Sequence, residues 1–166
     1  MKDVDCMGSA NTAHVFAQDG KGHAPCTPQA VIEMLDFYGY DLTGKKAVVV
    51  GRSMVVGKPL AQMLLKKNAT VTICHTKTAD LRAEVKAADF VFACAGVAKM
   101  LDASYISEGQ VVIDVGINML DGKLCGDVDY ESVSEVAEAV TPVPGGVGTV
   151  TTSVLLKHVL VSAMQE

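Results

Sequence analysis

Four short apolar runs recur along this chain with helix-forming segments between them. They are KKAVVVG (45–51), TVTICH (70–75), FVFACAG (90–96) and QVVIDVG (110–116). Each is rich in β-branched or aromatic residues and continuously apolar, so each reads as a strand buried on both faces. Strands of that kind, alternating with helices, require a parallel sheet covered on both sides. The chain is therefore expected to be α/β, a doubly wound parallel sheet with helices on both faces.

The intervening helices carry their own punctuation. CTPQAVIEMLDFYGY offers Thr27 as a cap, Pro28 for the first turn and Gly39 for a left-handed stop. Ala30, Val31, Met34, Leu35 and Tyr38 share one helical face. GKPLAQMLLKKN (57–68) has Pro59 early and Asn68 late, and TADLRAEVKAAD (78–89) reads as a further helix. A short helical stretch falls near 103–107. INMLDGKLCGDVD holds an Asp121-Gly122 turn, the mark of a hairpin appended to the sheet. A helix near 130–138 and a short strand at 139–143 follow. Residues 1–26, rich in Gly, Asp, Asn and His, read as a loop or extended lead-in.

Composition narrows the partners. With 49% hydrophobic and 20% charged residues the chain is globular and not disordered. A net charge of −5, without basic runs, argues against nucleic acid and anionic membrane. The start, MKDVDC, shows no signal peptide. The best candidate for a membrane span is broken by Lys157 and His158, so no apolar run of ~18 residues is expected. The five cysteines are odd in number and contain no Cys-x-x-Cys pair, which fits reduced structural thiols in a cytoplasmic protein and no metal site.

The first strand ends in VVVGRSMVVGKPL. Gly51 closes the strand and Gly57 opens the helix, with Ser53 where a dinucleotide fingerprint has its second glycine. Free amides and the helix dipole make such a turn a phosphate site, in a Rossmann-like arrangement. An ordinary strand–helix turn needing a glycine is the other reading. The second strand ends in His75, Thr76, Lys77 and Thr78, with no acid before Asp80 to accept from a ribose 2′-hydroxyl. With Arg52 in the first loop this favours NADP over NAD, unless Arg52 and Lys77 are only solvated charges. Gly116 in DVGIN either lets backbone approach a flat ligand or merely starts the hairpin. TPVPGGVG (141–148) concentrates two prolines and three glycines before an apolar run, more constraint than a plain turn needs.

KDVD, PCTP, GRSMVVGKP, CHTKT, DVGIN, GDVD and TPVPGGVG, in this order, closely resemble the bifunctional methylenetetrahydrofolate dehydrogenase/methenyltetrahydrofolate cyclohydrolase family. The resemblance covers essentially the whole chain. It implies a cofactor, NADP, held at its phosphates by Gly51, Arg52 and Ser53, with Thr76 near the 2′-phosphate and Ile117 near the nicotinamide. It implies that Asp5, the one catalytic candidate, faces the folate pterin, and that Pro144, Gly145 and Gly146 lie on the substrate side. It further implies a folate domain before KDVD, with a catalytic lysine in a Tyr-x-x-x-Lys motif. That motif is absent, since Leu42, Gly44, Gly109 and Ser134 stand four residues after the tyrosines.

Three segments follow from this: 1–26 as a lead-in from the missing catalytic domain, 27–150 as the NADP-binding Rossmann domain, and 151–166 as a helix that would pack on the missing domain. By this resemblance the intact enzyme oxidises 5,10-methylenetetrahydrofolate and hydrolyses the methenyl product, and this chain alone is inactive. The expected partners are a folate substrate, met through the missing domain, and a second copy in a homodimer. A silent NADP-binding module, or a subunit needing a separate folate domain, are the alternatives.

Overall fold

The computed structural model describes residues 3–164. Five parallel strands form the central sheet: β1 (Lys46–Val50), β2 (Thr70–Cys74), β3 (Phe90–Ala93), β4 (Val111–Asp114) and β7 (Ala139–Val140). Their order is β2-β1-β3-β4-β7, with Val49 beside Ile73 on one side and Phe92 on the other. The chain leaves β1 toward β2, then returns across β1 to build β3, β4 and β7. The direction therefore reverses between β1 and β3, and the expected doubly wound, Rossmann-like sheet is present.

The pleat sorts side chains into two cores. Ala47, Val49, Phe90, Phe92, Val111 and Ile113 face a layer made by α2 (Cys26–Phe37), α3 (Gly57–Lys66) and α6 (Val147–Met164). Val48, Val50, Val91, Ala93 and Val112 face α4 (Leu81–Lys86), a 3-10 turn (Ala103–Tyr105) and α5 (Tyr130–Val133). Val49, Val91, Phe92 and Val112 are wholly buried, each contributing about 1.5–3 kcal/mol. This is why the runs of β1, β3 and β4 lack alternation: both faces of these central strands are inside, whereas TVTICH, expected to be buried on both faces, is the edge strand β2 and leaves Thr70, Thr72 and Ile73 exposed.

Several elements depart from the sequence expectation. The lead-in holds a helix, α1 (Ser9–Ala17). Asp3 starts it by accepting from the N–H groups of Met7 and Gly8, each at 2.8 Å, and from Nδ2 of the fully buried Asn11. Those hydrogen bonds hold the carboxyl of Asp3 below its ordinary range. Helix α2 begins at Cys26, after Pro25, where Asp5 accepts from the Cys26 N–H at 3.0 Å. Helix α4 is shorter than 78–89 because Asp80 caps it, accepting from the Ala83 N–H. Helix α5 and strand β7 are likewise shorter than expected. The hairpin of β5 (Asn118–Leu120) and β6 (Lys123–Cys125) is a separate two-stranded sheet and does not join the main one. Its turn residues Asp121 and Gly122 both have positive φ, as the Asp-Gly pair predicts.

Helix α6 starts at Val147, inside the segment expected to end at 150. It is also a correction to the membrane reading. The helix continues through Lys157 and His158 for 18 residues and is long and apolar enough, by length and composition, to cross a membrane. Only Val147, Val154 and His158 are buried, a stripe that packs on α2. Lys157 pairs with Glu33 of α2 at 3.0 Å. Leu156, Leu160 and Met164 stay 61%, 65% and 86% exposed.

Two histidines fasten α6 to the lead-in. The His158 Nδ1–H donates to the Val4 carbonyl at 2.8 Å, and the ring stacks on His23 at 4.4 Å. His23 Nε2 meets Ser162 Oγ at 2.8 Å. Burial, and then the neighbouring His158 charge, push the His23 imidazole below its ordinary 6.5. The unfolded chain thus takes up this proton first. The stability tied to neutral His23 is complete above pH 6.5 and is lost as pH falls through that value. Urea unfolding at neutral and mildly acidic pH should show a larger acid loss for the unmodified chain than for His23→Gln.

Candidate functional site

At the end of β1 the backbone is pinched. Gly51 has φ +133°, and a Cβ there would collide with the Cys94 carbonyl at the end of β3. A Cβ on Gly57, the first residue of α3, would collide with the Gly51 carbonyl. Strand, loop and helix therefore approach more closely than any side chain allows. This junction lies at the strand C-termini where strand order reverses, and ligands of open α/β sheets usually bind in the crevice outside such a point.

The loop has its own internal support. Ser53 Oγ accepts from the Val56 N–H at 3.0 Å and the Gly57 N–H at 3.4 Å. That uses the oxygen of Ser53 and leaves its O–H proton to donate outward. Arg52 is exposed and joins no ion pair among the described residues. At the end of β2, Thr76 is exposed. The Lys77 N–H donates to His75 Nδ1, and the His75 N–H donates to Thr78 Oγ1. The first acid beyond, Asp80, is engaged as the α4 cap.

The ends of β3 and β4 are organised by two aspartates that sequence reasoning passed over. Asp114 is 2% exposed and accepts from the N–H groups of Gly116, Asp127 and Val128 at 2.9–3.0 Å. Burial raises its carboxyl above the ordinary range despite these bonds. Asp127 is fully buried. It accepts from the N–H groups of Ala95, Gly96 and Val97 at 2.6, 2.8 and 2.9 Å, and from Asn118 Nδ2 at 2.9 Å. Gly116 and Gly126 are glycines because a Cβ on either would run into one of these carboxylates. The available signals were an acid inside an apolar strand, VVIDV, and the GDVD that follows the hairpin.

The remaining predicted residues fall in two places. Ile117, between the tethered Gly116 and Asn118, is 69% exposed. Pro144, Gly145 and Gly146 form the turn into α6, with a cis peptide before Pro144 and φ +101° at Gly145. Thr141 Oγ1 accepts from the Asp114 N–H at 2.8 Å and so ties this turn to the end of β4. Gly145 and Gly146 line a groove of about 290 Å³ with Leu35, Tyr40 and Ile113. Asp5 does not line that groove; its carboxylate serves the start of α2.

Residues 25–166 match the model of the tetrahydrofolate dehydrogenase/cyclohydrolase NAD(P)-binding domain. The chain belongs to this family. It is 55% identical over 163 residues to a bifunctional protein FolD of Clostridium botulinum, covering 98% of this chain and 58% of that protein. The bifunctional FolD methylenetetrahydrofolate dehydrogenase/cyclohydrolase of Campylobacter jejuni superposes with a TM-score of 0.96 at 44% identity, over 99% of this chain and 58% of that one. The Trypanosoma brucei FolD enzyme, solved with NADP cofactor and an inhibitor, gives 0.88 at 38% identity, over 96% and 57%. The chain thus spans a little under three-fifths of the relatives it matches.

The loop fits a dinucleotide on its own geometry. Gly51 and Gly57 let α3 close on the end of β1, and the N–H groups of Val56, Gly57 and Lys58 are taken by Ser53, so the loop amides of residues 52–55, which meet no protein acceptor among the described residues, are left for a ligand at the positive end of the α3 dipole. In this NAD(P)-binding domain of the tetrahydrofolate dehydrogenase/cyclohydrolase family, the packing of α3 on β1 depends on this close junction. Gly51→Ala should lower unfolding free energy by about 1–3 kcal/mol through backbone strain and the Cys94 clash. Gly44→Ala, at φ +74° in open space, meets only the conformational part. Urea titration of both variants checks the ranking.

Proposed function

We propose that the chain binds NADP and supplies the cofactor half of a bifunctional methylenetetrahydrofolate dehydrogenase/methenyltetrahydrofolate cyclohydrolase. The observation that carries this reading is the pinched Gly51–Gly57 loop, with a free Arg52 above it and no free acid at the end of β2. Relatives whose activity and cofactor match it support the same reading.

In this reading the loop N–H groups of residues 52–55, at the positive end of the α3 dipole, receive the pyrophosphate, and the Ser53 hydroxyl donates its remaining proton there. Arg52 and Thr76 receive the 2′-phosphate. Ile117 lays an apolar surface beside the nicotinamide, and its flanking residues are fixed by Asp114 and Asp127. When bound, NADP supplies the hydride acceptor for oxidation of the folate one-carbon unit. Pro144, Gly145 and Gly146 present backbone without Cβ bulk on the folate side, and Asp5 serves the pterin edge. The general acid–base step of the cyclohydrolase belongs to a Tyr-x-x-x-Lys motif that these 166 residues do not contain.

Hydrogen bonds to a charged phosphate contribute roughly 1.5–3 kcal/mol each. Arg52→Ala should therefore weaken NADP by about tenfold or more and leave NAD nearly unchanged, as read by calorimetry. Equal losses for the two cofactors would remove Arg52 from the 2′-phosphate.

We also propose that the chain works in the cytoplasm, as its five unpaired thiols suit, and self-associates through α6. Leu156 and Leu160 are the centre of that uncovered apolar ridge. Sedimentation should show reversible, concentration-dependent association that Leu156→Lys with Leu160→Lys abolishes while circular dichroism stays unchanged.

A further inference from the structure

Asp127 occupies a position that usually belongs to a ligand. Ala95, Gly96 and Val97 are exposed loop residues, yet their three successive N–H groups converge inward on one fully buried carboxylate. Gly96 has φ +70°, which turns neighbouring amides toward a common point, the geometry of a backbone anion nest. The same carboxylate holds Asn118 Nδ2. One side chain thus fixes the exits of both β3 and β4. Asp114 sets that side chain in place by accepting from the Asp127 N–H.

These exits stand on the opposite side of β1 from β2. A dinucleotide laid across the switch point puts its adenosine ribose at the end of β2 and its other mononucleotide half over β3 and β4. We propose that Asp127 is a positioning residue for the nicotinamide half of the cofactor, holding the 95–97 loop and the 116–118 segment as one pre-formed wall. The proposal rests on the dinucleotide reading of the site. Asp127 acts without touching the ligand. A carboxylate is needed because it offers acceptor capacity for four donors at once, whereas an amide turns one of its two faces into a donor.

The test is calorimetric titration of the unmodified chain and Asp127→Asn with NADP and with 2′,5′-ADP, which carries the adenosine and 2′-phosphate but no nicotinamide. Asp127→Asn should weaken NADP by about tenfold and 2′,5′-ADP by less than about twofold. Equal weakening of both ligands, or of neither, overturns the proposal. If the unmodified chain binds neither ligand, the dinucleotide reading itself fails and the proposal with it, a result distinct from equal weakening. Should Asp127→Asn not fold, Asn118→Ala removes one of the four donors while both aspartates stay. It should show the same selectivity for NADP at about threefold, and equal effects on the two ligands overturn the idea. Native-state hydrogen exchange gives a readout without ligand. The amides of 95–97 should exchange slowly although the loop is exposed, and rapid exchange would contradict a pre-formed wall.

Discussion

The fold depends on a place where three stretches of backbone meet without side chains between them. Gly51 lies against the Cys94 carbonyl, and Gly57 lies against the carbonyl of Gly51. Glycine gives up about 0.5–1 kcal/mol of conformational freedom relative to alanine, so two such positions need an offsetting gain. The gain is that α3 can dock directly on the sheet, burying Leu60, Ala61 and Leu64 against Val49 and Phe92. The same approach sets the course of the loop at the point where strand order reverses. One steric constraint therefore sets both the packing of a major helix and the path of the loop proposed to hold the cofactor.

The other side of the crevice is built by charge. A carboxylate taken out of water costs several kcal/mol unless donors replace the lost hydration. Asp114 has three backbone donors and Asp127 has three plus an amide, so both are satisfied within the chain. The two carboxylates convert irregular loop backbone, which would otherwise hydrogen-bond water, into fixed structure. Rigidity at the β1 exit comes from close packing, and at the β3 and β4 exits from buried charge.

Much of this was legible in the residues, and the parts that were not share a cause. Each central strand is buried on both faces, so continuous apolar runs marked it, and two positive-φ positions made the Asp121-Gly122 turn readable. Helix α1 buries one side chain in its span, Asn11, so it has no apolar period to read. Its start is fixed by the Asp3 carboxylate, a contact that local propensity does not encode. The strand–turn–helix order placed Gly51, Arg52 and Ser53 between β1 and α3 and Thr76 just after β2, as the structure has them. The roles of Asp114 and Asp127 did not, because each depends on loops brought together from as far as 32 residues apart. Asp5 carries a further lesson: a residue placed on the substrate side by resemblance also has a structural duty, the first amide of α2.

Helix α6 shows how far an apolar sequence can outrun its own fold. Its stripe of Val147, Val154 and His158 satisfies α2, and the histidine needs Val4 and His23 to be tolerated there. Leu156, Leu160 and Met164 are left outside. Burying them would return at most about 1.5–3 kcal/mol each. Association costs roughly 4–15 kcal/mol in lost translational and rotational freedom. Three such side chains from each of two copies return at most about 9–18 kcal/mol together, comparable with that cost and not greatly above it. The ridge alone supports reversible contact, and a tight interface would need further surface. The edge strand β7 contributes little toward one, since its two residues are too short to template a long strand pairing. Tight covering of α6 thus calls for a partner surface broader than the helix itself.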